Sequence, residues 1–230
     1  MSATDAAIRT VNLSRSYGPA SAVVHALRGV SLEIGLGERV ALLGKSGSGK
    51  STLLNLLGGL DRPTSGQVLA AGRDLAQLSG RRLARYRLLT VGMIFQSFNL
   101  IPNRTALQNV ELPLVLAGVS PSRRRAMAVA ALEAVGLGGR LHHRPSELSG
   151  GECQRAAIAR GLINSPRILL ADEPTGNLDS VTAAEVLDVL TEHLDRLGAT
   201  LVLVTHDEEL ARRCAGRIVR LQDGRLISKE

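Results

Sequence analysis

The sequence predicts an α/β domain: a mostly parallel sheet flanked by helices, with a small antiparallel sheet at its N-terminal end and a helical insertion. Three observations carry that expectation. The runs at 40–43, 91–95, 168–171 and 200–205 are apolar almost without interruption, as strands buried on both faces of a parallel sheet must be. Between the last two, Val181, Ala184, Leu187, Leu190 and Leu194 keep helical spacing, giving the strand–helix–strand order that joins parallel neighbours. Ahead of residue 40, two stretches at 8–13 and 27–34 read as strands and suit an antiparallel pair.

At 230 residues and 44% hydrophobic, the chain can bury a substantial core in one large domain. No apolar run approaches the roughly 18 residues that span a bilayer. The first residues show no apolar stretch behind a basic start, so the expectation is a chain that stays in the cytosol. Two cysteines, Cys153 and Cys214, cannot form a disulfide framework. The net charge of +7 invites an anionic partner. However, the arginines are scattered and aromatics make up only 2% of the chain, so stacking platforms for nucleic acid are scarce and no nucleic-acid partner is expected.

Taken in order, the first strand ends near Tyr17, an aromatic suited either to stacking on a purine or to cross-strand packing. The strand at 40–43 runs into Gly44-Lys45-Ser46-Gly47-Ser48-Gly49-Lys50-Ser51-Thr52, which has the spacing G-x-x-x-x-G-K-S of a P-loop and opens a helix. The glycines let backbone N–H groups turn inward around a polyphosphate, and the helix N-terminus adds orphan donors. Lys50 neutralises the terminal phosphates, and the Ser51 hydroxyl is a hard oxygen suited to Mg²⁺. The core is therefore expected to be of P-loop NTPase type.

Turn clusters frame a short strand at 67–70, and 81–87 reads as a basic helix. After Gln96, prolines 102, 113 and 121 separate short segments of the expected helical insertion, whose clearest helix is at 122–135. Phe98, Leu100 and Ile101 are apolar residues beside a polar strand end; they suit either local packing or a groove for a partner's short helix. In Leu148-Ser149-Gly150-Gly151-Glu152, Ser149 and Glu152 form a capping box, and the two glycines leave the helix N-terminus bare for a second anion. Asp179 and Ser180 cap the helix after the 168–171 strand, Gly198 stops it, and Asp223-Gly224 marks a closing hairpin.

Four buried strands thus end in polar groups, and in a parallel sheet ligands bind outside those carboxyl ends. Asp172 suits orientation of Mg²⁺-bound water, and Glu173 suits general-base activation of the water that attacks the terminal phosphate. His206 suits contact with that phosphate, and Gln96 can reach the metal or the water. Alone, Glu173 also reads as a turn residue before Pro174, and His206 as a helix cap.

These residues, in this order over nearly the whole chain, resemble the ATP-binding cassette family. The resemblance implies a single domain over 1–230: a core with the antiparallel β subdomain at 1–96 and 157–230, and a helical subdomain at 97–156. It makes 44–51 the P-loop, Tyr17 the adenine-stacking aromatic, Gln96 the Q-loop, 148–152 the signature, and Asp172 and Glu173 the metal-binding and catalytic carboxylates. Gly176-Asn177-Leu178-Asp179 becomes the D-loop and His206 the switch histidine. The implied assembly is a head-to-tail homodimer with ATP and Mg²⁺ between one subunit's P-loop and the other's signature, bound to a transmembrane permease at the cytoplasmic face of the bacterial inner membrane. Within the family, "GLDRPTSG", "FQSFNLIP", "NVELPL" and "ADEPTGNLD" are similar to subunits of lipoprotein-release and macrolide-export systems. The alternative is a regulatory ATPase that signals through a membrane partner to cell-wall hydrolases. Lys45 stands where proline is common and Cys153 where glutamine is usual. Cys153 opens two readings: a thiol activated by the helix N-terminus and Arg155, or an inert cysteine packed under the helix.

Overall fold

The computed structural model describes residues 6–19 and 21–229. The reading that no secretion signal is present rests on residues 1–17, of which 1–5 lie outside the described residues. The chain opens with β1 (Ala6–Tyr17) and β2 (Val24–Gly35), then β3 (Arg39–Leu43) and α1 (Lys50–Leu57). Next come β4 (Ser65–Ala70), β5 (Arg73–Asp74), α2 (Gly80–Leu89) and β6 (Val91–Phe95). The helices α3 (Ala106–Leu116), α4 (Pro121–Ala134) and α5 (Gly150–Leu162) precede β7 (Ile168–Asp172). The chain closes with α6 (Ser180–Leu197), β8 (Thr200–Thr205), α7 (Glu208–Cys214), β9 (Arg217–Gln222) and β10 (Arg225–Lys229).

Two sheets result. One is antiparallel, in the order β2-β1-β4-β5; the other runs β10-β9-β3-β8-β7-β6. In the second sheet β9, β3, β8, β7 and β6 are mutually parallel, and only β10 returns antiparallel, through Asp223 and Gly224 at φ +49° and +77°. The continuous apolar runs have a physical reason here. Val40, Leu42, Leu170, Val202 and Val204 face one cluster, while Leu169, Ala171, Leu201 and Leu203 face another on the opposite side of the sheet. A strand covered on both faces has no position left for a polar residue until it ends.

The first cluster fills the space between the two sheets. There Leu53, Leu54, Leu56 and Leu57 of α1 meet Ile8 and Leu13 of β1 and Ile34 of β2. The helix that begins at the glycine-rich loop is therefore held between the antiparallel sheet and the parallel one. On the other side, Leu187, Leu190 and Leu194 of α6 pack with Ile158 and Leu162 of α5. A third cluster joins Leu107 and Val110 of α3, Ala128 and Leu132 of α4, and Ala156 and Ala159 of α5. The helix α5 thus belongs to both the sheet layer and the helical insertion.

Three expectations change. Pro113 lies inside α3 rather than between segments. The helix tolerates it because Asn109, Val110 and Leu114 are buried around it and the insertion packs on this face, which outweighs one missing backbone donor. Val181 stands on the outer face of α6 and is exposed, and Ala184 is half-buried, although Leu187, Leu190 and Leu194 in the same periodic pattern are buried. The short helix α7 is capped by Asp207 and not by His206; Asp207 accepts hydrogen bonds from the N–H groups of Glu209 and Leu210.

The loop that follows β6 is fixed from inside. Asn109 is fully buried, accepts a 2.7 Å hydrogen bond from Ile101 N–H, and donates to the carbonyls of Ile101, Arg104 and Thr105 at 3.0–3.2 Å. Asn109→Ala removes the partner of the Ile101 N–H and of the Arg104 carbonyl, while the Ile101 and Thr105 carbonyls keep backbone donors, and should lower unfolding stability by about 1–3 kcal/mol in urea titrations. A change smaller than about 0.5 kcal/mol would mean that water replaces the amide without loss.

Candidate functional site

The glycine-rich loop leaves β3 at Leu43, and its glycines are dictated by neighbours as well as by conformation. A Cβ on Gly44 would lie 2.2 Å from the Leu221 carbonyl oxygen, and one on Gly49, at φ +102°, would lie 2.4 Å from that of Ala26. The N-cap of α1 is Gly49, which has no side chain to satisfy the first-turn N–H groups. Lys50 is buried at the first helical position, and its ammonium donates to the carbonyls of Gly44 at 2.7 Å and Lys45 at 3.0 Å. The Ser48 Oγ is buried in the same loop without a hydrogen-bond partner. Free helix-end donors, a buried cation and an orphaned hydroxyl in one loop fit a polyphosphate.

The strand ends bring the remaining groups together. A cleft of about 380 Å³ is lined from the loop side by Ser46, Gly47, Gly49, Lys50, Ser51 and Thr52. Gln96, Asp172, Glu173 and His206 line its opposite wall. Gly44, Lys45 and Ser48 face another way, into a recess of about 440 Å³ that also takes in Ser46 and Gly47 and is closed by Arg220, Leu221 and Asp223 of the β9–β10 hairpin. Val24, His25 and Ala26, at the start of β2, also line the cleft. No pattern in the sequence marks these three; only the pairing of β2 with β1 carries them there.

The Ser51 hydroxyl is a near neighbour of the Asp172 carboxyl across the cleft. Burial pushes that carboxyl above the usual range and the nearby Glu173 charge adds to this, while the Ser51 hydroxyl and the Lys50 charge act in the opposite direction. Two hard oxygens are thus paired beside the phosphate loop. No group of three or more His, Cys, Asp or Glu side chains suited to a metal occurs among the described residues. Such a sparse donor set fits Mg²⁺, which takes much of its shell from water and phosphate.

Glu173 is turned away from Asp172 by its backbone. It sits in the left-handed region at φ +46°, and its N–H is tied to the Val204 carbonyl at 2.9 Å. Its Oε2 lies 2.6 Å from Nδ1 of His206, which donates to the ionised carboxylate. Gln96 is held from behind: its carbonyl accepts from Asn177 Nδ2 at 3.0 Å, and a Cβ on Gly176 would stand 2.9 Å from its amide nitrogen. The Glu173 carboxyl, the His206 imidazole and the Gln96 amide therefore share one wall of the cleft that the phosphate loop opens into.

The second anion motif is built but lies elsewhere. Ser149 caps α5, accepting from Glu152 N–H at 3.2 Å, while Glu152 accepts from Ser149 N–H at 2.8 Å and pairs with Arg140 at 3.0 Å. That backbone hydrogen bond, together with Arg140, holds the Glu152 carboxyl below its ordinary range against its burial. Gly150 is exposed, whereas Gly151 is buried and a Cβ there would meet the Thr182 methyl at 2.3 Å. Gly151 is thus small because α6 packs against it, and only Gly150 leaves the helix end open. Asp179 caps α6, accepting from both the N–H and the hydroxyl of Thr182. Ser149, Gly150, Gly151, Glu152 and Asp179 are absent from the cleft wall. Tyr17 is also absent from the cleft wall; it pairs across the β1–β2 ladder with Val24, which lines it.

The groove expected from Phe98, Leu100 and Ile101 is not formed by them; a different apolar groove lies on the far side of Phe95 from the cleft residues and does not include Gln96. It measures about 480 Å³ and is lined by Leu88, Met93, Phe95, Leu112 and Leu116 among others, with Asn99 and Arg160 at its edge. Phe98, Leu100 and Ile101 do not line it. Leu100 packs with the third cluster, and Arg160 pins the backbone carbonyls of Phe98 and Asn99.

Comparison with known proteins gives this arrangement its place. The family described as ABC transporter matches residues 27–176. The chain belongs to the ABC transporter family. It is similar to the macrolide export ATP-binding/permease protein MacB of Rhodopirellula baltica, at 51% identity over 94% of this chain and 32% of that protein. It therefore spans about a third of that relative's length. It is also similar to the lipoprotein-releasing system ATP-binding protein LolD of Geobacter metallireducens, at 49% identity over 96% of this chain and 98% of that one. Among solved structures, a dimeric ATP-binding cassette in a post-hydrolysis state, bound to ADP and Pi, superposes with a TM-score of 0.91 at 41% identity, covering 97% of both chains. This ABC chain is an ATP-binding and ATP-hydrolysing subunit.

Of the two readings of Cys153, the structure supports the inert, packed cysteine. The residue is 6% exposed, its Sγ–H donates to the Pro145 carbonyl at 3.5 Å, and burial, followed by the Glu152 charge, pushes the thiol up rather than down. The helix end does not activate a thiol that faces inward beside an anion. Maleimide should label Cys153 in the folded protein at least about tenfold more slowly than in denaturant. Equal rates in the two conditions, read by mass spectrometry, would contradict the packing.

Proposed function

We propose that the chain works as a homodimer that binds ATP between the phosphate loop of one copy and residues 148–152 of the other, and that hydrolysis drives a transmembrane permease of an export or release system. The observation that carries this reading is the separation of the two anion motifs within one chain. A built, capped helix end carrying an exposed Gly150 has no role in its own cleft, and a second copy gives it one. The dimeric state of the solved relative and the names of the export and release relatives support the same reading.

Lys50 and the first-turn N–H groups of α1 hold the phosphates. Ser51 and Asp172, with the Gln96 amide oxygen, are the donors that would hold Mg²⁺, whose charge neutralises the phosphate oxygens when it is bound. Glu173 takes a proton from the attacking water, and His206 keeps its carboxylate in position. Tyr17 supplies the platform for adenine. No described helix is long and apolar enough to cross a membrane. The bilayer is reached through the partner, at the cytoplasmic face of the bacterial inner membrane, and the groove beside Phe95 receives one of the partner's cytoplasmic helices. The exposed Leu116 at its rim supports that contact.

Lys50→Ala should abolish ATP binding and hydrolysis together. Glu173→Gln should keep binding, lose about a hundredfold or more of turnover, and accumulate as a dimer with ATP and Mg²⁺ in size-exclusion chromatography. Turnover at the parent rate would remove Glu173 as base. A monomer at saturating ATP would count against the shared site.

A further inference from the structure

We propose that Arg15 and Asp61 are positioning residues that clamp Tyr17 as a rigid, one-sided platform for the adenine base. The proposal rests on the reading of Tyr17 as that platform and adds what holds it there. Tyr17 is the last residue of β1 and pairs with Val24, which lines the cleft. Of the chain's two tyrosines and two phenylalanines, Tyr86 is fully buried with its hydroxyl spent on the Leu57 carbonyl, whereas Tyr17 is 39% exposed. Of the two tyrosines it is the exposed one, and its strand partner Val24 lines the cleft.

Its freedom is removed at two points. The Asp61 Oδ2 accepts a 2.7 Å hydrogen bond from the Tyr17 hydroxyl, which fixes the ring's outer end. The same oxygen accepts a 2.8 Å hydrogen bond from Arg15 Nε. Arg15, two residues back on the strand, lays its guanidinium over the ring, with 4.4 Å from Cζ to the centroid. Both neighbours are themselves anchored. Asp61 follows α1, its N–H and that of Leu60 returning to the Asn55 carbonyl, and Ser16 N–H between the two β1 residues bonds the Thr64 hydroxyl.

With a cation on one face, a nucleobase can stack only on the other, and a ring already immobilised loses little side-chain entropy when it does so. The hydrogen bonds from Tyr17 and Arg62 N–H, with the Arg15 charge, outweigh burial and hold the Asp61 carboxyl below its ordinary range. The clamp therefore stays charged at neutral pH. The carboxylate also links the platform to the far end of the helix that begins at the phosphates, so base and triphosphate are located from the same rigid element.

The test compares two ligands that differ in the base. Binding of ATP and of inorganic tripolyphosphate is measured by calorimetry for the full chain and for Tyr17→Ala, Tyr17→Phe, Asp61→Ala and the double variant Tyr17→Ala/Asp61→Ala, each confirmed folded by circular dichroism. Tyr17→Ala should weaken ATP about tenfold, Asp61→Ala about threefold to fivefold, and Tyr17→Phe by a smaller factor, with tripolyphosphate unchanged throughout. In the Tyr17→Ala background, Asp61→Ala should add nothing. If Tyr17→Ala leaves ATP binding intact, the platform reading itself fails. If Tyr17→Ala weakens ATP but Asp61→Ala does not, or weakens it equally without the ring, or weakens tripolyphosphate as well, the clamp is overturned while the platform stands.

Discussion

A helix N-terminus can bind polyphosphate only if its first N–H groups are left free and the helix cannot tilt away from the charge it attracts. In this chain both conditions meet at Gly49 and Lys50. The glycine caps nothing, and the eight-residue helix α1 behind it is locked between two sheets by four leucines. A helix this short is marginal on its own, so its stability comes from that packing. The antiparallel sheet therefore does more than carry Tyr17. It is the second jaw that holds the phosphate-binding helix still, and β1 and the chain after α1 meet again at Asp61.

The same economy of elements links the cleft to the distant helix end. The helix α5 starts with the capped, exposed Gly150, contributes Ile158 and Leu162 to the sheet layer, and with Arg160 grips the loop that follows Gln96. Arg160 is largely buried without a carboxylate partner, satisfied by the backbone carbonyls of Phe98 and Asn99, both in the left-handed region. A displacement of Gln96 on phosphate loss would be felt along α5, and a displacement of the insertion would be felt at Gln96. The apolar groove lies against this junction, so a membrane partner seated there would push on both.

The parallel sheet and the polar strand ends that line the cleft were legible in the sequence because double-sided burial forbids polar residues until a strand stops. The first polar residue after each run is thereby placed at the ligand edge. The loop motif and the Ser149–Glu152 box were legible because both are local hydrogen-bond patterns at fixed spacing. What escaped depended on long-range pairing. Val24, His25 and Ala26 line the cleft only because β2 pairs beside β1, and Asp61 meets Tyr17 only because the chain returns after α1. Pro113 misled because tertiary packing on α3 overrode a local breaker. Cys153 stayed open between two readings because a position near a helix end says nothing about which way the side chain faces.

The central claim is that the phosphate loop of one copy and the α5 end of another share one nucleotide. Ser46→Cys and Gly150→Cys placed together in the Glu173→Gln chain test it by cross-linking, with Cys153 and Cys214 buried and silent. The account predicts covalent dimers, on a non-reducing gel under mild oxidant, that form with ATP and Mg²⁺ and not without them. A chain that stays monomeric at saturating ATP, or dimers that form equally without nucleotide, would contradict it.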